Sequence, residues 1–489
     1  MSTACSDSRG AGKVIADPIH GAIHLTQREV QAIDTASFQR LRGLKQLAMA
    51  QSVFPNATHT RFAHSIGALG MMNRILGVAK ENGIEVSSEQ RENLRLAALL
   101  HDIGHYPYSH LMERVDSVVL TEDEVGKAVT PAREIDTTKT AYPRHEEVGR
   151  LIVTGQRDLV DAIGGANRAR VVADIFTRTG SADPQLSKLI HSSFDIDRWD
   201  YLARDSHAAG VPYGDIDIHY LLNNLRVSPE KTVGFSDKAL PALEHFLLGR
   251  FFMHRVVYYH KTIYGLEEAC RQLLRRLRDR YSGEYNIPQD GEGVEKLVRS
   301  GELPSFTDAF VDNIVRQAAG HEGDKEEDGV IRALAGAIQS RKPPKLLKEV
   351  PVYEESDREH HAGTAFLQRC RSDLKRLSTD FSIPVGQFLL CSPTVTLVKA
   401  PPEYSPTEVA KLTKDEVDGK AHKEEEEQIW VFQGDETEPT SLLHLRQSLV
   451  KRWAKFFFQA CRLYVVLEGP DANDKVTQLR ERVKDWGRS

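Results

Sequence analysis

The chain has 489 residues, of which 40% are hydrophobic and 27% charged, as is ordinary for a soluble globular protein. Its 64 basic and 70 acidic residues give a net charge of −6, which excludes the global basic excess of a nucleic-acid coat protein. Five scattered cysteines form no CxxC motif and predict reduced thiols rather than a disulfide framework.

No secretory signal or membrane helix is predicted. The first 13 residues contain no apolar segment, and the longest uncharged run, 381–398, includes two prolines. These features predict a soluble cytoplasmic protein without membrane partners, with a nuclear location left open.

The N-terminal part of the chain reads as a flexible tail, 1–12, followed by a mostly helical core, 13–282. Apolar residues recur at helical spacing in 38–47, and the helix predicted at 94–100 is apolar over much of its surface. The charged, Thr-rich stretch 121–144 predicts an insertion loop. The arginine-rich stretch 271–280 predicts a solvated helix face.

The remainder, 283–489, predicts a smaller α+β lobe. Short runs at 352–353, 394–398 and 463–467 have strand composition, and 442–458 is patterned as an amphipathic helix. The almost wholly polar stretch 414–428 predicts a charged, solvated loop. The predicted fold is therefore mostly α, with a smaller α+β lobe at the C-terminal end.

The strongest chemical signal is a histidine–aspartate pair at the end of an apolar helix, His101-Asp102. His64 lies upstream and Asp197 downstream, which gives the order H…HD…D. Two imidazoles and two carboxylates suit a divalent metal such as iron, manganese, magnesium or zinc, and a second ion stays open. The alternative is a buried polar pair that is satisfied by hydrogen bonds alone.

The order H…HD…D is the signature of HD-domain phosphohydrolases, and longer segments extend the resemblance. These segments are Lys13–Gly21, Asp34–Leu47, Val53–Ser65, His101–His110, Arg144–Glu146 and Asp195–Asp205. Over about 13–282 the sequence resembles the HD-domain deoxynucleoside triphosphate triphosphohydrolases, without the sterile-alpha-motif domain that one branch carries. The resemblance implies a helical metal-dependent core that hydrolyses dNTPs to deoxynucleoside and inorganic triphosphate.

The resemblance also implies roles for individual residues. The metal ligands it implies are His64, His101, Asp102 and Asp197. The catalytic residues it implies are His105, His110 and His145, with His110 as proton donor to the leaving 5′ oxygen. The substrate-binding residues it implies are Gln46, Leu47, Arg61, Arg198, Tyr201, Asp205, Arg250, His254 and Tyr258. Independently, Asp197, Tyr201 and Asp205 follow at four-residue steps and would share one face of a helix.

A second nucleotide site between subunits is a further implication of the resemblance. The residues it implies are Lys13, Val14, Asp34, Gln39, Arg42, Val53, Phe54, His260 and Lys261. We therefore expect GTP or a dNTP as activator and a homo-oligomer, most simply a tetramer, with single-stranded nucleic acid left open as a partner. The alternative for 38–42 is an amphipathic helix with a charged rim.

Two positions depart from the family pattern. Glu113 replaces an aspartate, and its extra methylene is expected to move the carboxylate away from a pocket histidine. Tyr259 replaces a glutamine that touches the base. The competing functions are another HD-domain activity, such as a nuclease or nucleotide phosphodiesterase, and a non-catalytic nucleotide sensor. Control of dNTP pools and restriction of viral or phage replication both fit the resemblance.

Overall fold

The computed structural model describes residues 12–81, 85–117, 142–179, 195–228, 232–353, 357–397, 429–453 and 456–487. Within these ranges the chain is mostly helical with several strands in its C-terminal region, which confirms the predicted fold class. The predicted tail 1–12, insertion loop 121–144 and charged loop 414–428 lie outside the described residues, apart from residue 12 and residues 142–144.

The described elements are mainly helices, and the strands among them are short. The helices are α1 Gln27–Ile33, α2 Ala36–Gln39, α3 Arg61–Glu81, α4 Ser88–Leu100, α5 His110–Glu113, α6 His145–Gly155, α7 Arg157–Ala162, α8 Ala166–Thr177, α9 Ile196–Ala209, α10 Ile218–Asn223, α11 Leu240–Met253, α12 Lys261–Tyr285, α13 Gly291–Arg299, α14 Asp308–Ala319, α15 Glu326–Gln339, α16 Asp357–Phe381 and α17 Ala472–Val483. The strands are β1 Val14–Asp17, β2 Gly21–His24, β3 Leu225–Val227, β4 Val233–Ser236, β5 Lys345–Val352, β6 Phe388–Cys391, β7 Thr394–Thr396, β8 Trp430–Phe432, β9 Thr440–Ser441 and β10 Phe457–Val465.

Helix α4 lies at the centre of the core. It begins with a capping box, in which the Ser87 side chain and Gln90 satisfy each other's backbone N–H groups. Every residue from Leu96 to Leu100 is fully buried, as its apolar sequence predicts. The loop that follows packs tightly on α6, because a Cβ on Gly104 would lie 2.0 Å from the carbonyl oxygen of His145. Glycine at this position therefore holds the histidine-rich loop against α6.

Strands of the C-terminal region take part in two sheets, the second of which also contains β3 and β4. In the first, β10 pairs antiparallel with β5, β6 and β7, while α16 and α17 pack on β5. In the second, with the order β3-β4-β8-β9, β8 adds in parallel to β4. The main hydrophobic core includes residues on both sides of position 282, and α12 continues to Tyr285. The domain division at 282/283 stays a prediction.

The helix predicted over 442–458 is wrong. β9 ends at Ser441, a 3₁₀ turn spans Val450–Trp453, and β10 begins at Phe457. Pairing with β5 and β7 captures the apolar end of this segment as a strand, which helical periodicity could not reveal.

The solvated face predicted for the arginine run in α12 is also wrong. Arg276 is buried and donates to Glu327 at 2.7 Å, and buried Arg278 donates to Asp116 at 2.6 Å. Carboxylates from distant segments compensate these charges, so the helix tolerates cations on its packed face.

Candidate active site

The four predicted metal ligands converge where α3, the end of α4 and the start of α9 meet. His64 Nε2 lies 3.0 Å from Asp197 Oδ1 and 3.3 Å from His101 Nε2. The two Asp102 carboxylate oxygens lie 3.4 Å from His64 Nε2 and 3.4 Å from His101 Nε2. Two ligand atoms that are each about 2.1 Å from one ion stand about 3 Å apart at a right angle. These separations therefore fit a single divalent ion.

The hydrogen bonds of His64 and His101 indicate which nitrogen of each ring carries the hydrogen. His101 Nδ1 lies 2.8 Å from the Ala98 carbonyl oxygen, and His64 Nδ1 lies 2.7 Å from Asp200 Oδ2. Because both partners can only accept, each Nδ1 carries the hydrogen and each Nε2 of the neutral ring offers a lone pair. Two lone pairs 3.3 Å apart repel each other unless a proton or a metal cation lies between them. The donor set therefore fits a metal.

Asp200 contacts the side of His64 that faces away from the other metal-ligand candidates, and the sequence analysis did not identify it. Its carboxylate accepts from Arg204 at 2.7 and 2.8 Å and lies 2.6 Å from His20 Nε2. A Cβ on Gly67 would lie 1.9 Å from Asp200 Oδ1, so a glycine in α3 admits this carboxylate beside His64. Burial opposes ionisation, but these partners, Arg204 foremost, hold the pKa of Asp200 well below its usual range. The signal in the sequence was Asp200 and Arg204 at i,i+4 spacing, just after Asp197.

The charges around the cluster hold the carboxylates ionised. Burial raises the pKa of Asp102, but the Arg61 guanidinium at 2.6 Å, together with His105 and His101, keeps the pKa well below its usual range. Burial likewise disfavours protonated His64, but Asp197 and Asp200 raise its pKa to about 10. The pocket thus favours positive charge at the position where a metal would lie. Asp195 caps α9 through the Arg198 N–H, which agrees with its exclusion from the ligand set.

The three predicted catalytic histidines form a second cluster beside the first. The rings of His105 and His145 stack with centroids 3.9 Å apart, and His110 meets His145 edge-on at 5.3 Å. His105 Nε2 lies 3.1 Å from Asp102 Oδ1, so this aspartate touches both clusters. His105, His110, Glu113 and His145 together could also hold an ion.

Glu113 contradicts the expectation that its extra methylene moves the carboxylate away. Its two oxygens lie 2.6 Å from His110 Nδ1 and 3.0 Å from His145 Nδ1. Burial opposes ionisation of Glu113, but these imidazoles hold its pKa below the usual range. The short helix α5 places the carboxylate between both rings, so glutamate orients two histidines at once.

One cavity of about 960 Å³ connects these groups, and all nine predicted substrate-binding residues line it. Asp197, Tyr201 and Asp205 lie along the same wall, as predicted from their spacing in α9. His254 and Tyr258 belong to a π-helical turn, His254–Tyr258, that follows α11. Burial and the neighbouring Arg250 lower the pKa of His254 to about 3, so this ring is neutral.

Asp205 forms part of the cavity wall together with Tyr258 and Tyr201. It accepts a hydrogen bond from the Tyr258 hydroxyl at 2.8 Å, and its other oxygen lies 2.7 Å from His59 Nε2. Tyr201 and Tyr258 meet edge-on with centroids 6.4 Å apart. A carboxylate and two aromatic rings thus form one corner of the cavity.

The C-terminal region closes part of the cavity, which sequence reasoning missed. Arg250 donates to the carbonyl oxygens of Thr396 and Leu397 at 3.1 and 3.0 Å, so a predicted phosphate contact also anchors this region. Residues 391–394 line the cavity. Glu267 lines it too, and burial raises the pKa of that carboxyl to about 7. Only tertiary packing brings these segments to the site.

The predicted activator residues lie in two surface groups. In the first, Lys13 Nζ lies 3.6 Å from Asp34 Oδ2, while Arg42 donates to Gln39 at 2.8 Å and stacks on Phe62. In the second, Phe54 meets His260 with ring centroids 6.0 Å apart. Val53 packs with Phe54, Lys261 follows His260, and Val14 is an exposed apolar residue on β1. The activator roles stay predictions.

Comparison with known proteins shows which proteins this chain resembles. Residues 61–205 match the HD domain family. The chain is 29% identical over 276 residues to an uncharacterised protein from Bacillus subtilis, covering 56% of this chain and 58% of that protein. A solved structure of a hypothetical protein from Aquifex aeolicus superposes with a TM-score of 0.66 at 23% identity, covering 96% of this chain and 100% of that one.

Residues 61–205 therefore form an HD domain, within which His64 of α3, His101 at the end of α4 and Asp197 of α9 form a group that could hold a divalent metal ion. A more particular likeness is to the human deoxynucleoside triphosphate triphosphohydrolase SAMHD1, at 31% identity over 266 residues, or 51% of this chain and 42% of that protein. The chain spans about half the length of the curated relatives it matches. Among the described residues, no helix has the length and apolarity that crossing a membrane requires.

Proposed function

We propose that this protein hydrolyses dNTPs to deoxynucleoside and inorganic triphosphate. The observation that carries the proposal is a single cavity that joins a metal-ligand cluster, three histidines, several arginines and an aspartate–tyrosine corner. The arginines suit a polyphosphate, the metal-ligand cluster and the histidines suit the scissile bond, and the aspartate–tyrosine corner suits a sugar. Similarity to dNTP triphosphohydrolases over half of this chain supports the same substrate class.

The chain's own side chains bind and orient the triphosphate. Arg61 is buried and held by Asp102 and Ser109, so its guanidinium is fixed before substrate arrives. Arg198 lines the same cavity one residue after a metal ligand. Guanidinium groups pair with phosphate oxygens bidentately. A bound divalent ion would supply Lewis-acid charge and lower the pKa of a water nucleophile.

His110 is the residue that donates a proton to the leaving 5′ oxygen. Its side chain is 50% exposed, and Glu113 holds its Nδ1. That contact leaves Nε2 as the atom that transfers the proton. Desolvation lowers the pKa of His110 although Glu113 opposes this, so the protonated ring is a stronger acid than free imidazole.

Selectivity for deoxyribose follows from crowding at the sugar. Asp205 accepts from the Tyr258 hydroxyl and offers its remaining acceptor capacity to a 3′-hydroxyl. Leu47 and Tyr258 line the same cavity, and packing against C2′ would leave no room for a ribose hydroxyl. Nucleotide-stimulated assembly into a tetramer and control of dNTP pools in the cytoplasm belong to the same proposal.

The decisive experiment separates product identities. Protein loaded with manganese, iron, magnesium or zinc is incubated with each dNTP, each NTP, single-stranded DNA and single-stranded RNA, with and without GTP. Anion-exchange chromatography should detect triphosphate and deoxynucleoside from dNTPs alone. In water labelled with ¹⁸O, the label should enter triphosphate, because attack at the α-phosphorus leaves the 5′ oxygen on the nucleoside. Mononucleotides released from DNA or RNA would instead indicate a nuclease.

A further inference from the structure

A second, smaller pocket lies farther along α3 than the metal cluster, beside Gly70 and Arg74. It has a volume of about 300 Å³ and is lined by residues of β2, α3 and α4 together with His20. Three arginines, Arg74, Arg91 and Arg95, and two histidines line it, and its lining contains no acidic residue. Such a composition is typical of an anion site.

The charges of two of these arginines are left uncompensated. Arg95 pairs with Glu29 at 2.6 and 2.7 Å and is thereby neutralised. Arg74 donates to the His20 carbonyl oxygen at 3.2 Å, and neither it nor Arg91 has an ion-pair partner within the described ranges. Both are half-buried. Two partly desolvated like charges at one pocket repel each other, and an anion between them would remove that cost.

The floor of the pocket carries a further unsatisfied polar atom. His20 is 8% exposed, and its Nδ1 is buried without a hydrogen-bond partner in the described structure. Gly70 of α3 lets this floor form, since a Cβ there would lie 2.9 Å from the Ile23 side chain. Because His20 Nε2 faces the Asp200 carboxylate and carries the hydrogen there, Nδ1 offers a lone pair, which would accept from the hydroxyl of a monohydrogen phosphate.

We propose that this pocket binds a phosphate group, as orthophosphate or as the terminus of a phosphorylated small molecule. Guanidinium groups recognise phosphate oxygens in forked geometry, and the volume suits one or two phosphate groups better than a whole nucleotide. The proposal does not depend on the reaction proposed above.

The pocket is joined to the metal cluster by a short chain of contacts. His20 Nε2 lies 2.6 Å from Asp200, and Asp200 Oδ2 lies 2.7 Å from His64 Nδ1. Arg204 bridges Asp200 and Asp17, and Asp17 Oδ1 accepts from the His20 backbone N–H. A phosphate bound at Arg74 and Arg91 would therefore contact the loop that contains His20. His20 in turn contacts Asp200, the hydrogen-bond partner of His64.

Hydrogen exchange of the metal-loaded protein, read peptide by peptide, tests the site. Orthophosphate, triphosphate and, as a carboxylate control, acetate are added in turn. We expect phosphate and triphosphate to slow exchange in peptides that cover 18–25 and 86–97, and acetate to have no effect. Arg91→Gln should weaken this protection about tenfold or more in ligand concentration. Arg157→Gln, at an exposed arginine of α7, should leave it unchanged.

Protection confined to 100–115 would place the phosphate at the histidine clusters and overturn the proposal. Equal protection in wild type and Arg91→Gln would overturn it as well. Arg74→Gln provides an independent variant if Arg91→Gln unfolds, and it should show the same weakening. Triphosphate release by the Arg91→Gln enzyme at saturating metal is a separate measurement, so failure of the hydrolase proposal leaves this test intact.

Discussion

The histidine–aspartate cluster and the predicted activator surface contain the same kinds of charged residue but hold them differently. His64, His101 and Asp102 have side chains that are 0–4% exposed, whereas Lys13 and Asp34 are 65% and 61% exposed. A buried charge must find its partners within the chain, while water compensates an exposed one. The partners of the first group therefore all lie within the chain, whereas the charges of the second group remain accessible to another molecule.

Removing a metal ligand should have the largest effect. In His101→Ala or Asp197→Ala, one of four converging donors is lost, so bound metal and triphosphate release should disappear together. Metal analysis and anion-exchange chromatography measure the two quantities on the same sample. The control is His219→Ala, at an exposed histidine of α10. Full turnover in either ligand variant would contradict the metal assignment.

Removing the proton donor should separate chemistry from metal binding. His110→Ala should keep its metal but lose about 10²–10⁴-fold in turnover, the usual contribution of general acid catalysis. Steady-state rates combined with metal content test this. If the metal were lost as well, His110 would be a ligand in the second histidine cluster.

Weakening the support behind His64 should have a smaller effect. Asp200→Asn keeps the shape of the side chain but weakens its hold on His64 Nδ1, so metal affinity should fall about 10–100-fold. At saturating metal, turnover should stay within a few-fold of wild type. Chelator competition measures the affinity, with Asp215→Asn at an exposed aspartate as control. Unchanged affinity would show that Asp200 serves folding alone.

The exposed surface should show the smallest effect on the single chain. Arg42 is exposed and hydrogen-bonds to Gln39, so Arg42→Ala should change the unfolding free energy by less than about 1 kcal/mol. It should nevertheless weaken nucleotide-dependent assembly, because an effector stabilises the form that binds it. Sedimentation velocity with GTP and each dNTP, alongside initial rates, measures both. A wild-type monomer with full turnover and no effector would exclude this regulation.

Much of the metal cluster could be predicted because the order H…HD…D resembles that of the HD-domain phosphohydrolases, and local patterns place two of its segments on helices. The apolar helix before His101 and the four-residue steps from Asp197 to Asp205 both identify faces of helices. The supports of these residues could not be predicted in the same way. Asp200 reaches His64 only because Gly67 allows α3 and α9 to approach closely, and His20 joins them from a distant loop.

The sequence by itself determined the mostly helical class, the central apolar helix and the identity of the metal-ligand candidates. The first two properties follow from periodicity along the chain, and the ligand candidates follow from the order H…HD…D and its resemblance to the HD-domain phosphohydrolases. Tertiary structure alone decided that Arg276 and Arg278 of α12 are buried, that 457–465 forms a strand, and that Glu113 bridges two histidines. Each of these depends on a partner more than 30 residues away along the chain, such as Glu327 for Arg276 or His145 for Glu113. A buried charge must be paired, but the sequence alone does not indicate which distant residue is its partner.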